Sequence, residues 1–405
     1  MIYTIQPPAS INAKIQLPAS KSISNRILIL NALSNSNYPV ENLSGSDDTQ
    51  VLKNALFSLN TGNTDFNIGA AGTSMRFLTA YLAQSEGVWT ITGSERMKNR
   101  PIKILVESLC EIGGKIEYLG KDGFPPLKIY GRKLSGGAIR LNGGVSSQYL
   151  SALMMIAPAT QQGLDIQLEG TVISRPYIEM TIRLMQTFGV QTEWNGQHIR
   201  IEPQTCRPVP FMVENDWSAA SYWYEIAALA GNSAEVELTG LEQDSIQGDA
   251  KVVDLFEAIH GTRMTRITQI SASSASSAFK SDFTNEPDLA QTLAVTCCLL
   301  DIPFHFTGLQ SLRIKETDRI SALQTELKKL GYVVKASEAA MEWNGERCEA
   351  EVDPVISTYE DHRMAMAFAP VCLKTGQIKI KDPDVVSKSY PGFWEDLRKA
   401  GFRVE

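Results

Sequence analysis

The stretch that decides the fold is Leu17–Leu33, Leu-Pro-Ala-Ser-Lys-Ser-Ile-Ser-Asn-Arg-Ile-Leu-Ile-Leu-Asn-Ala-Leu. Its apolar second half follows serines suited to capping, which predicts a buried helix that begins near Ser22, with Ser20 or Ser22 as the cap. Lys21 and Arg26 lie at the N-terminus of this helix, where the helix dipole favours anions. Cations beside free backbone N–H groups indicate an anion-binding site. A capped surface helix with two solvated cations explains this stretch alone equally well.

The chain repeats this design six times. Six apolar segments of helix length open with polar residues, and successive openings are 50, 74, 70, 72 and 73 residues apart. Amphipathic segments that stop at glycine lie between them, and a short strand usually follows the glycine. We therefore expect six repeats of about 70 residues, arranged as two similar halves of three repeats each. The six openings lie near Ser22, Gly72, Ser146, Asp216, Asp288 and Asp361.

The segments between the openings complete the predicted repeat. Met212–Asp216 is the expected linker between the halves, and the serine-rich run Ser271–Ser277 is expected to be a surface loop without function. Amphipathic helices are predicted at Pro101–Gly113, Ser174–Gly189, Asp249–Gly261, Arg319–Gly331 and Ser387–Gly401, with a weaker copy at Asp48–Gly62.

Composition narrows the classes of function. The chain has 405 residues, a hydrophobic fraction of 43% and a net charge of −7, which favours a two-domain globular protein without a general nucleic-acid surface. No apolar run approaches the ~20 residues that span a bilayer, and no signal peptide is apparent. The six cysteines are scattered without metal-ligand spacing. We therefore expect reduced thiols in a cytoplasmic protein and no metal site.

The polar openings carry the candidate ligands. The first half supplies glycine, hydroxyl, amide and guanidinium groups, which can receive phosphate or carboxylate oxygens. The second half places acids beside bases, and Leu312–Arg319 holds three cations and two carboxylates. If the segment up to Thr317 is extended, Lys315 and Glu316 point in opposite directions. Read in isolation, this segment fits a solvated charged turn, and Asp288 fits a simple N-cap.

Taken in order, nine motifs resemble those of the enolpyruvylshikimate-phosphate synthase family of enolpyruvyl transferases. The match covers essentially the whole chain, and nine motifs in order are very specific. The motifs are Lys21-Ser22 with Asn25-Arg26, Ala71–Arg76, Arg100–Ile102, Ser146–Gln148, Ser174–Tyr177, Pro287-Asp288, Lys315–Arg319, Asp361–Met366 and Lys388.

The resemblance implies a fold. The family has an α/β (α+β) fold of two similar domains, each of three βαβαββ units around buried parallel helices, an inside-out α/β barrel with a ligand cleft between the domains. The implied N-terminal domain is 18–213. The implied C-terminal domain is discontinuous, 1–17 plus 214–405, so the chain crosses between the domains twice.

The resemblance also implies an activity. The family transfers the enolpyruvyl group of phosphoenolpyruvate to the 5-hydroxyl of shikimate 3-phosphate and releases phosphate, through a tetrahedral intermediate on the route to chorismate and the aromatic amino acids. We expect a cytoplasmic monomer with no cofactor, no metal and no nucleic-acid or membrane partner, and a target of glyphosate. One alternative is the sister enzyme that acts on UDP-N-acetylglucosamine with a loop cysteine as acid. Another is a catalytically silent phosphometabolite-binding protein.

Residue roles follow from the same resemblance. Asp288 resembles the base for the attacking hydroxyl, and Glu316, with Lys21, resembles the acid that protonates the methylene carbon. The many cations near Glu316 make its protonation hard to explain. The implied ligands of shikimate 3-phosphate are Lys21, Ser22, Arg26, Ser146, Ser147, Gln148, Ser174, Asp288 and Lys315. The implied ligands of phosphoenolpyruvate are Lys21, Gly72, Arg100, Gln148, Arg319, Arg363 and Lys388, with its carboxylate on Arg319 and Arg363.

Three positions depart from the family's usual residues. Ala70 and Ser311 stand where asparagine is common, and Phe77 stands where proline is common. Ala70 and Phe77 bear on affinity for phosphoenolpyruvate and on glyphosate sensitivity more than on the type of reaction, because the charged residues are all present.

Overall fold

The computed structural model describes residues 1–59, 61–260, 267–268 and 278–405. They form two compact lobes, the N-lobe (Ala19–Glu214) and the C-lobe (Met1–Pro18 with Asn215–Glu405). The described helices are α1 Lys21–Leu33, α2 Asp47–Leu59, α3 Gly72–Gln84, α4 Lys103–Glu111, α5 Ser147–Ile156, α6 Arg175–Thr187, α7 Trp217–Ala230, α8 Val252–His260, α9 Ala290–Leu299, α10 Arg319–Lys329, α11 His362–Phe368, α12 Cys372–Thr375 and α13 Phe393–Lys399.

Short strands alternate with these helices. They are β1 Ile2–Gln6, β2 Ile11–Gln16, β3 Val40–Glu41, β4 Asp65–Asn67, β5 Gly87–Thr92, β6 Lys115–Tyr118, β7 Leu127–Gly131, β8 Gly137–Asn142, β9 Leu164–Glu169, β10 Glu193–Trp194, β11 His198–Ile201, β12 Phe211–Met212, β13 Ala234–Thr239, β14 Ile267–Thr268, β15 Phe279–Asp282, β16 Phe304–Thr307, β17 Lys335–Ala336, β18 Met341–Trp343, β19 Val355–Ile356, β20 Ile378–Lys381 and β21 Arg403–Val404.

Three buried helices contact one another in the N-lobe. These are α1, α3 and α5, and α3 is buried continuously from Gly72 to Ala80. A helix that is buried on all sides belongs to a protein core, which explains the apolar runs in the sequence. The strands of the lobe form sheets in the orders β4-β5-β7-β6 and β10-β11-β9-β8, together with the pair β12-β3.

The C-lobe is built in the same way. Its buried helices α7, α9 and α11 contact one another, and every residue of α9 is buried. The described sheets have the orders β19-β20-β1-β21, β14-β13-β2 and β15-β16-β18-β17. Both strands at the start of the chain belong to this lobe. β1 pairs with β20 and β21, and β2 runs parallel to β13 with Ile11 opposite Ala234.

Four buried helices are crossovers between parallel strands. α3 joins β4 to β5, α5 joins β8 to β9, α9 joins β15 to β16, and α11 joins β19 to β20. Parallel neighbours need such a crossover, because a hairpin turn cannot connect them. Each of these helices therefore begins shortly after the carboxyl end of a strand, where its free N–H groups and the preceding loop are available to a ligand.

The expected α/β class and the six predicted helix openings are confirmed. The buried helices begin at Lys21, Gly72, Ser147, Trp217, Ala290 and His362. No helix among the described residues is both long enough and apolar enough to cross a membrane.

The predicted helix Ser387–Gly401 is wrong in part. Pro383–Lys388 forms a separate 3₁₀ helix, and α13 begins only at Phe393. Pro391 separates the two, because proline lacks the N–H group that a helix interior needs. The serine-rich run Ser271–Ser277 and the end of the helix predicted for Asp249–Gly261 lie outside the described residues.

Candidate active site

Arg319 is the centre of a charge cluster in the C-lobe. It is the first residue of α10 and is only 1% exposed. Nη1 donates to Asp288 at 2.8 Å, Nη2 donates to Glu316 at 2.7 Å, and Nε donates to Asp361 at 2.7 Å. Burial would lower the pKa of Arg319, but attraction by the three carboxylates outweighs it and raises that pKa. The buried guanidinium therefore stays charged.

Asp288 is held by three cations. Its Oδ1 accepts from Arg319 and lies 3.4 Å from Nζ of Lys315, and its Oδ2 accepts from Nη2 of Arg363 at 3.0 Å. Burial alone would raise the pKa of Asp288, but Arg363, Lys315 and Arg319 outweigh it and hold that pKa well below the usual value. Asp288 is therefore ionised at neutral pH. It lies in the 3₁₀ turn Pro287–Leu289, and its side chain does not cap α9, contrary to the simple N-cap interpretation.

Glu316 also binds two cations, one through each oxygen. Oε2 accepts from Arg319 at 2.7 Å, and Oε1 lies 3.1 Å from Nζ of Lys388. The preceding residues Gln310–Ile314 form a 3₁₀ turn, so the conditional expectation of an extended segment does not apply. As a result Lys315 and Glu316 both reach the same cluster. We define the C-lobe charge cluster as Asp288, Lys315, Glu316, Arg319, Asp361, Arg363 and Lys388.

Asp361 is a site residue that sequence reasoning missed. In the sequence it marks a helix opening and begins the motif Asp361–Met366, with no role of its own. It does cap α11, because its Oδ1 accepts from the backbone N–H of Arg363 at 2.9 Å. The same carboxylate is completely buried and holds Arg319 through Oδ2. Asp361 therefore fixes both arginines of the cluster, which no local pattern reveals, because Arg319 lies 42 positions away.

Arg363 is held by a second set of residues that the sequence does not single out as a site. Its Nη1 donates to Oη of Tyr222 at 3.3 Å, and its Nη2 donates to Oγ of Ser218 at 3.4 Å. Ser218 in turn donates a short hydrogen bond to Asp249. Burial first, and then repulsion by Asp288, raise the pKa of Asp249 to about 6. No group of His, Cys, Asp and Glu among the described residues is arranged to hold a metal ion.

Arg26 is a buried cation of the N-lobe. It is 2% exposed, and its donors go to neutral oxygens: Nε to Thr181 at 2.8 Å, Nη2 to Ser151 at 2.8 Å, and Nη1 to the carbonyl of Ser22 at 2.9 Å. No carboxylate among the described residues contacts it. Burial lowers the pKa of Arg26 to about 10, and the residue stays protonated at neutral pH. A buried cation without a counter-ion is suited to receive an anion.

Gly72 leaves room for a guanidinium group. A Cβ atom built on Gly72 would lie 2.4 Å from Nη1 of Arg100 and 2.8 Å from Nη1 of Arg76. Arg76 donates to the carbonyls of Gly72 at 2.8 Å and Pro101 at 3.3 Å, which ties the start of α3 to the segment that carries Arg100. A side chain at this position would force both guanidinium groups to shift, because they approach the backbone so closely.

The start of α5 meets the start of α3. Nε2 of Gln148 donates to Oγ1 of Thr73 at 3.2 Å, and Ser146 caps α5 by accepting from the backbone N–H of Gln148 at 3.4 Å. Ser147 is the first residue of that helix. Lys21 lies 4.0 Å from Asp48, the second residue of α2. These contacts bring together Gly72, Arg100 and Gln148 within the N-lobe.

Two serines at helix N-termini make no side-chain cap, contrary to the prediction for α1. Ser20 is the N-cap residue of α1, with Ser22 inside the helix, but the buried Ser20 hydroxyl makes no cap hydrogen bond. Ser174 precedes α6 in a left-handed conformation with φ of 53°, and its side chain does not cap the helix either. Both serines lie at helix N-termini with hydroxyl groups that the backbone does not use.

The chain is similar to known proteins over its whole length. The sequence profile of EPSP synthase (3-phosphoshikimate 1-carboxyvinyltransferase) matches residues 5–66 and 58–397. The 3-phosphoshikimate 1-carboxyvinyltransferase of Bacteroides fragilis is 53% identical over 410 residues, covering 100% of this chain and 99% of the relative. The enzyme of that name from Aliivibrio fischeri is 37% identical, covering 98% of each chain.

Two solved structures share the fold. EPSP synthase from Acinetobacter baumannii superposes with a TM-score of 0.77 at 21% identity, covering 100% of this chain and 99% of the other. The enolpyruvyl transferase NikO from Streptomyces tendae gives a TM-score of 0.70 at 15% identity, covering 100% and 98%. Because the two solved structures are only 21% and 15% identical to this chain, they show a shared fold and nothing more. The sequence profile and the two relatives match the chain in sequence. The chain belongs to the EPSP synthase (3-phosphoshikimate 1-carboxyvinyltransferase) family.

Proposed function

We propose that the chain transfers the enolpyruvyl group of phosphoenolpyruvate to the 5-hydroxyl of shikimate 3-phosphate and releases phosphate. The single observation that carries this proposal is the C-lobe charge cluster, where ionised Asp288 lies among Arg319, Arg363 and Lys315. Two guanidinium groups beside a carboxylate base suit a reaction that must hold an anionic substrate and accept a proton from a hydroxyl group. Membership of the family supports the same reaction.

Most of the proposed ligands of phosphoenolpyruvate are cations. Its carboxylate faces Arg319 and Arg363, whose planar forks fit a carboxylate bidentately. Its phosphate is held by Lys21, Arg100, Gln148 and Lys388 and by the backbone of Gly72. The close approach of Arg100 to Gly72 in the N-lobe supports this part of the assignment.

Shikimate 3-phosphate binds through a larger polar set. Arg26 supports this part of the proposal, because it is buried among neutral oxygens and an incoming anion would supply its missing counter-charge. The full set is Lys21, Ser22, Arg26, Ser146, Ser147, Gln148, Ser174, Asp288 and Lys315.

Addition and elimination need a base and an acid. Asp288 takes the proton of the 5-hydroxyl as its oxygen attacks, and Glu316, with Lys21, delivers a proton to the methylene carbon. The low pKa of Asp288 in the cluster makes it a weak base. A substrate carboxylate on Arg363 and Arg319 draws these cations away and strengthens it. The tetrahedral intermediate then loses phosphate from its central carbon and a proton from its new methyl group, which re-forms the carbon–carbon double bond.

We propose that the two lobes correspond to the domains 18–213 and 1–17 plus 214–405. The bounds of the lobes support this proposal, because they differ from the bounds of the domains by one residue. The enzyme works as a monomer in the cytoplasm, without nucleic acid or membrane as partner.

Phosphate release tests this function. The purified chain should release inorganic phosphate only when shikimate 3-phosphate and phosphoenolpyruvate are both present. Asp288→Asn should lower turnover by about 10²- to 10⁴-fold. Turnover with UDP-N-acetylglucosamine in place of shikimate 3-phosphate would assign the chain to the sister reaction. Binding of both substrates without any phosphate release would leave only a metabolite-binding protein.

A further inference from the structure

The turn Thr358–Asp361 leads into α11 in an unusual conformation. The backbone N–H of Asp361 donates to the carbonyl of Thr358 at 2.8 Å and closes the turn. Both central residues, Tyr359 and Glu360, have a positive φ of 54°. Glycine, asparagine and aspartate are the usual residues of such a turn, because a larger side chain is strained at positive φ. Contacts with the surrounding structure must therefore hold this turn in place.

Glu326 of α10 supplies contacts of this kind. Its side chain is completely buried, and its Oε1 accepts from Oη of Tyr359 at 2.7 Å. Its Oε2 accepts from the backbone N–H of Ser357 at 3.1 Å and from Nζ of Lys329 at 2.7 Å. The same Nζ donates to the carbonyl of Val355 at 2.8 Å. The last turn of α10 is thus tied to β19 and to the turn that follows it.

Arg319 holds the other end of the same turn. It is the first residue of α10, and its Nε donates to Asp361 at 2.7 Å. Glu326 lies about two turns later on this helix, about 10 Å along its axis. A single helix therefore holds the turn at both ends, through Asp361 on one side and through Tyr359 on the other.

Asp361 connects the turn to Arg363. Its Oδ1 accepts from the backbone N–H of Arg363 at 2.9 Å and so caps α11. Side-chain nitrogens of Arg319 and Arg363 both donate to the carboxylate of Asp288, at 2.8 Å and 3.0 Å. The two guanidinium groups thus converge on one point. Their spacing depends on where the turn places the start of α11 against α10.

We propose that Glu326 is a positioning residue, which holds the strained turn against α10 and so sets the spacing of Arg319 and Arg363. This inference rests on the proposed function, in which these two arginines bind the carboxylate of phosphoenolpyruvate. Planar forks bind a carboxylate in a narrow geometry, and a misplacement of about 1 Å can cost up to about 100-fold. Glu326 is not a member of the C-lobe charge cluster and acts through the turn.

Tyr359→Phe tests this role with a small change. It removes the hydroxyl that donates to Glu326 and keeps the ring, at a residue that is 37% exposed. Loss of one hydrogen bond to a carboxylate should raise KM for phosphoenolpyruvate about tenfold in steady-state phosphate release. KM for shikimate 3-phosphate should change much less, because its proposed ligands include neither arginine. Glu326→Gln weakens the same contact from the other side and should also raise KM for phosphoenolpyruvate.

A rescue experiment separates positioning from a simple contribution to stability. Glycine adopts a positive φ without strain, so Glu360→Gly should keep the turn in place without the tyrosine hydroxyl. The double variant Tyr359→Phe/Glu360→Gly should therefore return KM for phosphoenolpyruvate towards the wild-type value. Tyr332→Phe is the matched control, because Tyr332 is also a tyrosine of the C-lobe and its hydroxyl bonds to the charged Arg347. This control should keep both KM values.

The kinetic outcomes decide the inference. A wild-type KM for phosphoenolpyruvate in both Tyr359→Phe and Glu326→Gln overturns it. A rise that Glu360→Gly does not reverse, or that Tyr332→Phe shares, overturns it as well. If Glu326→Gln does not fold, Tyr359→Phe and its rescue decide alone.

Failure of the proposed function has a different signature. A wild type that releases no phosphate with both substrates overturns that function, and a crystal structure of Tyr359→Phe then tests the inference without turnover. A relaxed turn, with Asp361 moved away from Arg319, supports the inference. A turn that keeps its positive φ at Glu360, with Asp361 still on Arg319, contradicts it.

Discussion

Adding one methyl group at Gly72 tests how the N-lobe holds Arg100. In Gly72→Ala the new Cβ would lie 2.4 Å from Nη1 and 2.9 Å from Cζ of Arg100, whereas ordinary contact begins at 3.4 Å. The guanidinium must therefore move by about 1 Å, a shift of the size that misplaces a binding group. A flexible side chain can make this shift without unfolding the lobe. The damage should therefore appear in substrate binding.

The expected effect falls on phosphoenolpyruvate. A hydrogen bond to a charged group contributes about 1.5–3 kcal/mol, so its loss raises KM for phosphoenolpyruvate about 10- to 150-fold. KM for shikimate 3-phosphate should change much less, because Arg26 and its partners lie on α1, α5 and α6. Steady-state phosphate release, with each substrate varied in turn, measures both constants.

Gly45→Ala is the matched control. It is also a glycine of the N-lobe, and a Cβ atom there meets nothing within 4 Å. This variant should keep both KM values and the thermal midpoint of the wild type. A Gly72→Ala variant with the KM values of Gly45→Ala would refute the assignment of Arg100 to phosphoenolpyruvate. A rise confined to KM for shikimate 3-phosphate would refute it as well.

Three further changes test other parts of the account. Arg26→Lys should weaken shikimate 3-phosphate binding about tenfold or more in calorimetry, because an ammonium group cannot reproduce the planar fork; unchanged affinity would remove Arg26 from the site. Arg319→Met should lower the free energy of unfolding in urea by about 3–5 kcal/mol, because buried Asp361 loses its guanidinium partner; an unchanged urea midpoint would contradict this. Burial and Asp288 raise the pKa of Asp249 to about 6, so the unfolded chain releases this proton near pH ~4 and the folded chain only near pH 6. The free energy of unfolding of the wild type should therefore fall by up to about 3 kcal/mol as the pH rises through this window. Asp249→Asn should not show this fall when both proteins are unfolded in urea at several pH values. Equal pH profiles of the wild type and Asp249→Asn would contradict this prediction.

The positions of the buried helices could be predicted because the residues that mark each helix lie next to one another in the sequence. Gly72, Asp216 and Asp361 precede apolar runs, and helices begin at or directly after each of them. The apolar runs predict helices buried on all sides, as α9 is. The pairing of β1 with β20 and β21 needs contacts across almost the whole chain, which no periodicity reveals.

The site was only partly predictable for a related reason. The charged residues in Lys315–Arg319 predict a charge cluster. They do not predict which carboxylate pairs with which cation. Asp361 reaches Arg319 across 42 positions, and Asp249 reaches Ser218 across 31. The left-handed conformation of Ser174 also has no sequence signal, because serine ordinarily caps a helix from an extended conformation.

A crystal structure of the chain with phosphoenolpyruvate and the 5-deoxy analogue of shikimate 3-phosphate tests the central claim most directly. We expect the phosphoenolpyruvate carboxylate within hydrogen-bond distance of Arg319 and Arg363, and Arg26 in contact with the second ligand. A carboxylate bound away from both Arg319 and Arg363 would contradict the account.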